Sequence, residues 1–120
     1  MFKAFSRLFR RPAPEPQWLD VAALRRRLAG DGPSSPGLLI LDVRGADEFD
    51  GPLGHIEGAL NVPLAELGAR QNAIAAAGRP VVCVCLTDKR SAAAAAQLMG
   101  CGLRDVAVLL GGMQAWREAG

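Results

Sequence analysis

Cysteine is scarce in this chain and histidine scarcer, and neither is arranged as a staple or a metal site. Three cysteines, an odd number in 120 residues, do not make a disulfide framework. Cys83 and Cys85 sit one residue apart with side chains on the same strand face, too close to bridge without distortion. They read as free thiols, and a reducing, cytoplasmic location is expected. A Cys-x-Cys without a second pair, and with the single His55 far away in sequence, is no zinc pattern; no metal is expected. Long apolar runs are missing too, since no stretch reaches the ~18–20 residues needed to cross a bilayer. The basic N-terminus is followed by neither an apolar core nor a small-residue cleavage site, which excludes a secretory signal reading. A net charge of +2 is too small to argue for a nucleic-acid partner.

What charge there is lies at one end. Residues 1–30 carry Lys3, Arg7, Arg10, Arg11, Arg25, Arg26 and Arg27 against Glu15 and Asp20, a basic surplus of five that leaves the remainder acidic by three. Within Met1–Arg11, Phe2, Phe5, Leu8 and Phe9 fall near one helical stripe, and Pro12, Pro14 and Pro16 then break any helix and form a stiff spacer. Residues 1–16 are therefore set apart from a domain at 17–120. Two readings of residues 1–11 stand: a basic amphipathic segment that touches an anionic membrane surface or a protein partner, or a basic tail with no docking role.

The body alternates between helical and extended patterns. Asp20 can cap a helix from Val21 to about Leu28, closed by Gly30. After a Gly/Pro/Ser loop at 31–37, Leu38–Leu41 is a short continuous apolar run, the pattern of a strand buried on both faces. A polar, glycine-rich stretch from Arg44 to Gly58 leads to a short strand at Ala59–Val62. Pro63 opens a helix to about Ala76. Val81–Cys85 is a strand, Ser91 to about Met99 a helix, Asp105–Leu110 a strand and Met113–Glu118 a last short helix. Strands alternating with helices imply a parallel sheet covered on both faces, an α/β fold, whose ligands bind beyond the carboxyl ends of the strands.

Cys85 stands at such an end, in VVCVCLTDKRS. A thiol there is followed by a short loop and a helix N-terminus, both rich in unpaired N–H groups. An anion in that bowl is stabilised, whether thiolate or part of a substrate. Cys83, flanked by valines inside the strand, reads as packing, and Cys101, between Gly100 and Gly102, as a turn residue.

Four motifs in order carry a resemblance. Asp42-Val43-Arg44 with Glu48-Phe49, Gly54-His55-Ile56-Glu57-Gly58-Ala59 with Asn61 and Pro63, Cys85 through Arg90-Ser91, and Leu110-Gly111-Gly112 through Ala115-Trp116 are together similar to rhodanese-like sulfurtransferases. The likeness runs from about Trp18 to the end. It implies a single rhodanese-like domain with a five-stranded parallel sheet flanked by helices. It implies that Cys85 accepts the sulfane sulfur of thiosulfate or a persulfide and passes it to cyanide or a thiol, a ping-pong reaction needing no cofactor. The amides of Leu86, Thr87, Asp88, Lys89, Arg90 and Ser91 would bind the transferred sulfur, assisted by the charge of Arg90. Asp42, Arg44 and His55 are expected to brace the surrounding loops and Trp116 to lie in the core.

Loop length separates two chemistries. Phosphatases and arsenate reductases of this fold place five residues between cysteine and arginine, whereas four separate Cys85 from Arg90. The remaining alternative is a catalytically silent binding or regulatory module. Asp88 stands where the family often has glycine. Glycine there allows a tight or left-handed backbone, a conformation that aspartate tolerates better than most residues. Its charge is expected to repel thiosulfate.

Overall fold

The computed structural model describes residues 14–31 and 37–120. The basic segment at 1–11 lies outside the described residues. The elements follow in the order β1 (Gln17–Leu19), α1 (Val21–Asp31), β2 (Leu39–Asp42), α2 (Ala46–Phe49), β3 (Leu60–Asn61), α3 (Leu64–Ala76), β4 (Val81–Val84), α4 (Lys89–Gly100), β5 (Val106–Leu109) and α5 (Gly112–Glu118). The strands form one sheet in the order β1-β5-β4-β2-β3, with every pair parallel.

The period-2 alternation of side chains divides the core in two. Leu39, Leu41, Val81, Cys83, Val106 and Val108 face one side, where Leu67 of α3 and Ala94, Ala95 and Leu98 of α4 cover them. Ile40, Val82, Val84, Ala107 and Leu109 face the other, under Val21 and Leu24 of α1 and Met113 of α5. Both faces are thus sealed, which is why β2, β4 and β5 are apolar at almost every position rather than at alternate ones. Ala94 and Ala95, fully buried, let α4 lie close on the sheet.

Local chemistry sets the boundaries. The Ala23 N–H donates to Asp20 Oδ1 at 2.7 Å, the cap that starts α1. The helix then runs through Gly30 to Asp31 rather than closing near Leu28. β4 stops at Val84, one residue earlier than the apolar run suggests, because the Cys85 carbonyl is taken by the N–H of Met113 and not by a neighbouring strand. α4 starts at Lys89, two residues before the expected Ser91. Two elements carry no periodic pattern to find: β1, three residues on the sheet edge, and α2, a single turn.

Candidate active site

The carboxyl ends of β2 and β4 lie side by side, Asp42 in register with Val84. Arg44 folds back over this edge as a fully buried guanidinium. Its Nε donates to both Asp42 oxygens at 3.0 and 3.2 Å, and its Nη2 to Asp42 Oδ2 at 2.8 Å. The remaining donors reach two loop carbonyls, Nη1 to Glu48 at 3.1 Å and Nη2 to Gly54 at 2.7 Å. Asn61 closes the same knot from β3, its Nδ2 donating to the carbonyls of Asp42 and Arg44 at 3.0 and 2.9 Å. A buried charge is tolerated only when paired and hydrogen-bonded all round, and Arg44 meets that condition. His55 belongs to the same loop. Its ring stacks on Phe49 at 3.6 Å between centroids, and Nδ1–H donates to the Phe49 carbonyl at 2.9 Å.

Cys85 follows β4 directly and is buried, 1% exposed. The Ser91 N–H, in the first turn of α4, donates to its Sγ at 3.3 Å, and the thiol lies 3.3 Å from Ser91 Oγ. Ser91 Oγ in turn donates to the Asp88 carbonyl at 3.1 Å. Across the loop, α5 takes the carbonyls: Met113 N–H donates to Cys85 O at 2.8 Å and Gln114 N–H to Leu86 O at 3.1 Å. In a trans peptide the N–H points opposite to the C=O. Tying the Cys85 and Leu86 carbonyls to α5 therefore turns the N–H groups of Leu86 and Thr87 away from it. The thiol is on that opposite side, since Cys85 packs with the α3 and α4 layer and Met113 with the α1 and α5 layer. The loop presents donors to the face that holds the sulfur.

Cys83, also on that face, is sealed among core side chains, and burial pushes its thiol up to about 12, with the neighbouring Cys85 adding to the shift. It stays protonated, and only a thiolate is a working nucleophile.

Three expected side-chain placements need correction. Asp88 has φ −155° and ψ −1°, so its backbone is not left-handed and does not call for the positive φ that glycine supplies. Its carboxylate turns aside to the N–H of Gly111, Oδ2 at 3.4 Å. Arg90 does not lend a free charge to the bowl. Its Nη1 and Nη2 grip Glu48 Oε1 and Oε2 at 2.7 and 2.9 Å, a bidentate pair. Trp116 is half-buried at the rim of the second core layer, with the Arg25 guanidinium 4.8 Å over its ring. Lys89 and Thr87 are exposed, and Leu86 is a large apolar side chain left 37% exposed beside Cys85.

Glu48 has a role at the site that its place in the first motif does not reveal. Its carboxyl, hydrogen-bonded by Arg90, is pulled from 4.5 down to about 2. A depressed folded-state value means the pair's stabilisation is complete above the unfolded value near 4.5 and fades as pH falls towards 2. Both partners are more than a third exposed, at 37% and 38%, so water screens the pair to about 1 kcal/mol or less. Urea midpoints of the wild type and Glu48→Gln should accordingly differ by a constant amount from pH 7 to about 5 and converge as pH approaches 2. A difference that grows on acidification would contradict this.

Comparison with known proteins decides the family. The rhodanese-like domain family matches residues 20–119. The chain belongs to this family. The rhodanese-like domain is 40% identical over 77 residues to an uncharacterised Bacillus subtilis protein, YqhL, a match covering 64% of this chain and 59% of that one. It thus spans under two-thirds of the length of that relative. The solution structure of a rhodanese-like domain from an Anabaena protein superposes with a TM-score of 0.74 at 31% identity, covering 89% of this chain and 76% of the other. A Rhodopseudomonas palustris protein of unknown function, described as a possible tyrosine phosphatase, gives 0.73 at 27% identity, covering 87% and 81%. The five-stranded parallel sheet between two helical layers is the architecture these neighbours share. No helix among the described residues is long and apolar enough to cross a membrane, and these residues contain no cluster of metal-ligating side chains.

Proposed function

We propose that the protein is a sulfurtransferase that carries a sulfane sulfur on Cys85. The Cys85 thiolate attacks the outer sulfur of the donor, a new S–S bond forms, and the donor's own S–S bond breaks with its electron pair leaving on the departing group. With thiosulfate, that group is sulfite. An acceptor thiolate, or cyanide in an assay, then takes the outer sulfur and releases Cys85 as thiolate, so no net oxidation occurs and no cofactor is needed. The observation that carries this reading is the orientation of the loop around the sulfur. The Ser91 N–H reaches Sγ at 3.3 Å, and the peptides after Cys85 are turned by α5 so that their N–H groups face the same side. Such a bowl of amides suits a persulfide anion. The phosphatase alternative finds less support. Only four residues separate Cys85 from Arg90, and the guanidinium that would grip a phosphate is held by Glu48. Free thiols favour work in a reducing, cytoplasmic setting, with a small-molecule or protein donor and a thiol acceptor as partners.

Intact-mass measurement tests the proposal. After incubation with thiosulfate or an alkyl persulfide, the wild type should gain the mass of one sulfur atom, lose it to cyanide, and gain nothing as Cys85→Ser. Failure of every donor to load the protein would instead favour a silent binding module.

A further inference from the structure

The ion pair between Glu48 and Arg90 stands between two hollows. On one side is an open groove of about 420 Å³ lined by Val43, Gly45, Pro63, Leu64, Ala65 and Arg90. On the other is a smaller hollow of about 110 Å³ lined by Arg44, Glu48, Pro52, Leu53 and Leu86. Both walls are mainly apolar, and their only charged groups are already neutralised: Arg44 by buried Asp42, Arg90 by Glu48. Arg90 closes the active loop and borders the larger groove, while Leu86, next to Cys85, borders the smaller hollow.

Thiosulfate is a small, strongly hydrated dianion. A site built to favour it needs unpaired positive charge at the loop, and a desolvated anion without a partner is costly. The loop's guanidinium is spent on Glu48, and its other cation, Lys89, is exposed and lines neither hollow. Resting on the sulfur-carrier role of Cys85, we propose that Glu48 determines donor preference. By holding Arg90 in a bidentate pair, it leaves the groove beside the active loop apolar and without an unpaired charge, and it selects an organic persulfide whose alkyl or aryl group lies in that groove beside Val43, Pro63 and Leu64. The Cys85 thiolate takes the outer sulfur of R–S–SH, the S–S bond of the donor breaks, and R–S⁻ departs with the electron pair. The proton stays on the transferred sulfur or passes to water.

The test is the rate of persulfide formation on the full-length protein, read by quenched intact mass, with thiosulfate and with methyl, propyl and hexyl persulfide. In the wild type the rate constant should rise about two- to fourfold per methylene, the size of the gain from burying a CH₂. In Glu48→Gln, with Arg90 released, the ratio of the thiosulfate to the hexyl persulfide rate constant should rise tenfold or more, as one unit charge acting on a dianion allows. A series flat in chain length overturns the groove assignment, and this arm does not depend on any variant. An unchanged ratio in Glu48→Gln overturns the role of Glu48 even if the series is steep. Loading by all donors alike removes the donor preference and leaves Cys85 as the carrier, whereas loading by none removes both.

Discussion

Replacing Arg44 with methionine is expected to destabilise the fold by about 3–5 kcal/mol, the cost of breaking a buried ion pair by removing one partner. Asp42 would remain 1% exposed with its carboxylate answered by little more than the Arg44 backbone N–H at 3.1 Å. The carbonyls of Glu48 and Gly54 would lose their donors as well. The damage should reach the site, because the Glu48 backbone is what Arg44 holds, and the Glu48 side chain is what holds Arg90. The double replacement Asp42→Leu with Arg44→Met removes both charges. It should recover much of the lost stability, giving a coupling of about 0.5–3 kcal/mol between positions that touch. Urea unfolding of the two single variants and the double variant measures this. A loss under about 1 kcal/mol in Arg44→Met would mean that water enters the site and screens the charge.

The same loop shows where sequence reading stops. Apolar runs are legible because burial on both faces leaves no alternative composition, and so β2, β4 and β5 were placed to within a residue. β1 was not, since an edge strand whose first two residues are exposed needs no apolar pattern; it is held by its pairing to β5, a property of the whole fold. Position 85 was legible from a strand end running into a helix start. The orientation of that loop was not, because it is set by hydrogen bonds from α5, some 28 residues downstream. Charges misled for a similar reason. Asp88 and Arg90 stand beside the bowl in sequence, which suggests that both charges act on it. Their partners, Gly111 and Glu48, lie 23 and 42 residues away. A side chain's charge matters at a site only after its own partner has been counted, and partners at that separation are not visible in a short motif. Glu48 does stand within the first motif of the family resemblance. What the motif conceals is that its carboxylate faces the loop after Cys85.

Apart from loss of the Cys85 sulfur itself, the change with the largest expected effect on activity touches no reacting atom. Gly112 lies under the loop at φ +54°, and a Cβ added there would collide with the carbonyl oxygens of Cys85 and Thr87 and with the Leu86 carbonyl carbon. All three are backbone atoms, so no side chain can swing aside. Gly112→Ala must push the loop off α5, lengthening the Met113 and Gln114 hydrogen bonds to Cys85 and Leu86 and turning the amides away from the sulfur. Misplacing a reacting group by about 1 Å costs about 100-fold, and a loss of at least that size is expected in the rate of sulfur loading. Gly111→Ala is the informative comparison. It too has a positive φ, +74°, but its Cβ would meet the Ala115 methyl within α5 and not the loop. Both variants place alanine in the left-handed region, at about 1–2 kcal/mol, and Gly112→Ala adds the displacement of the loop, so its thermal midpoint should fall further. Only Gly112→Ala should fall by two orders of magnitude in activity. Equal activity losses would show that general strain in the Gly-Gly turn, and not its contact with the Cys85 loop, governs the site.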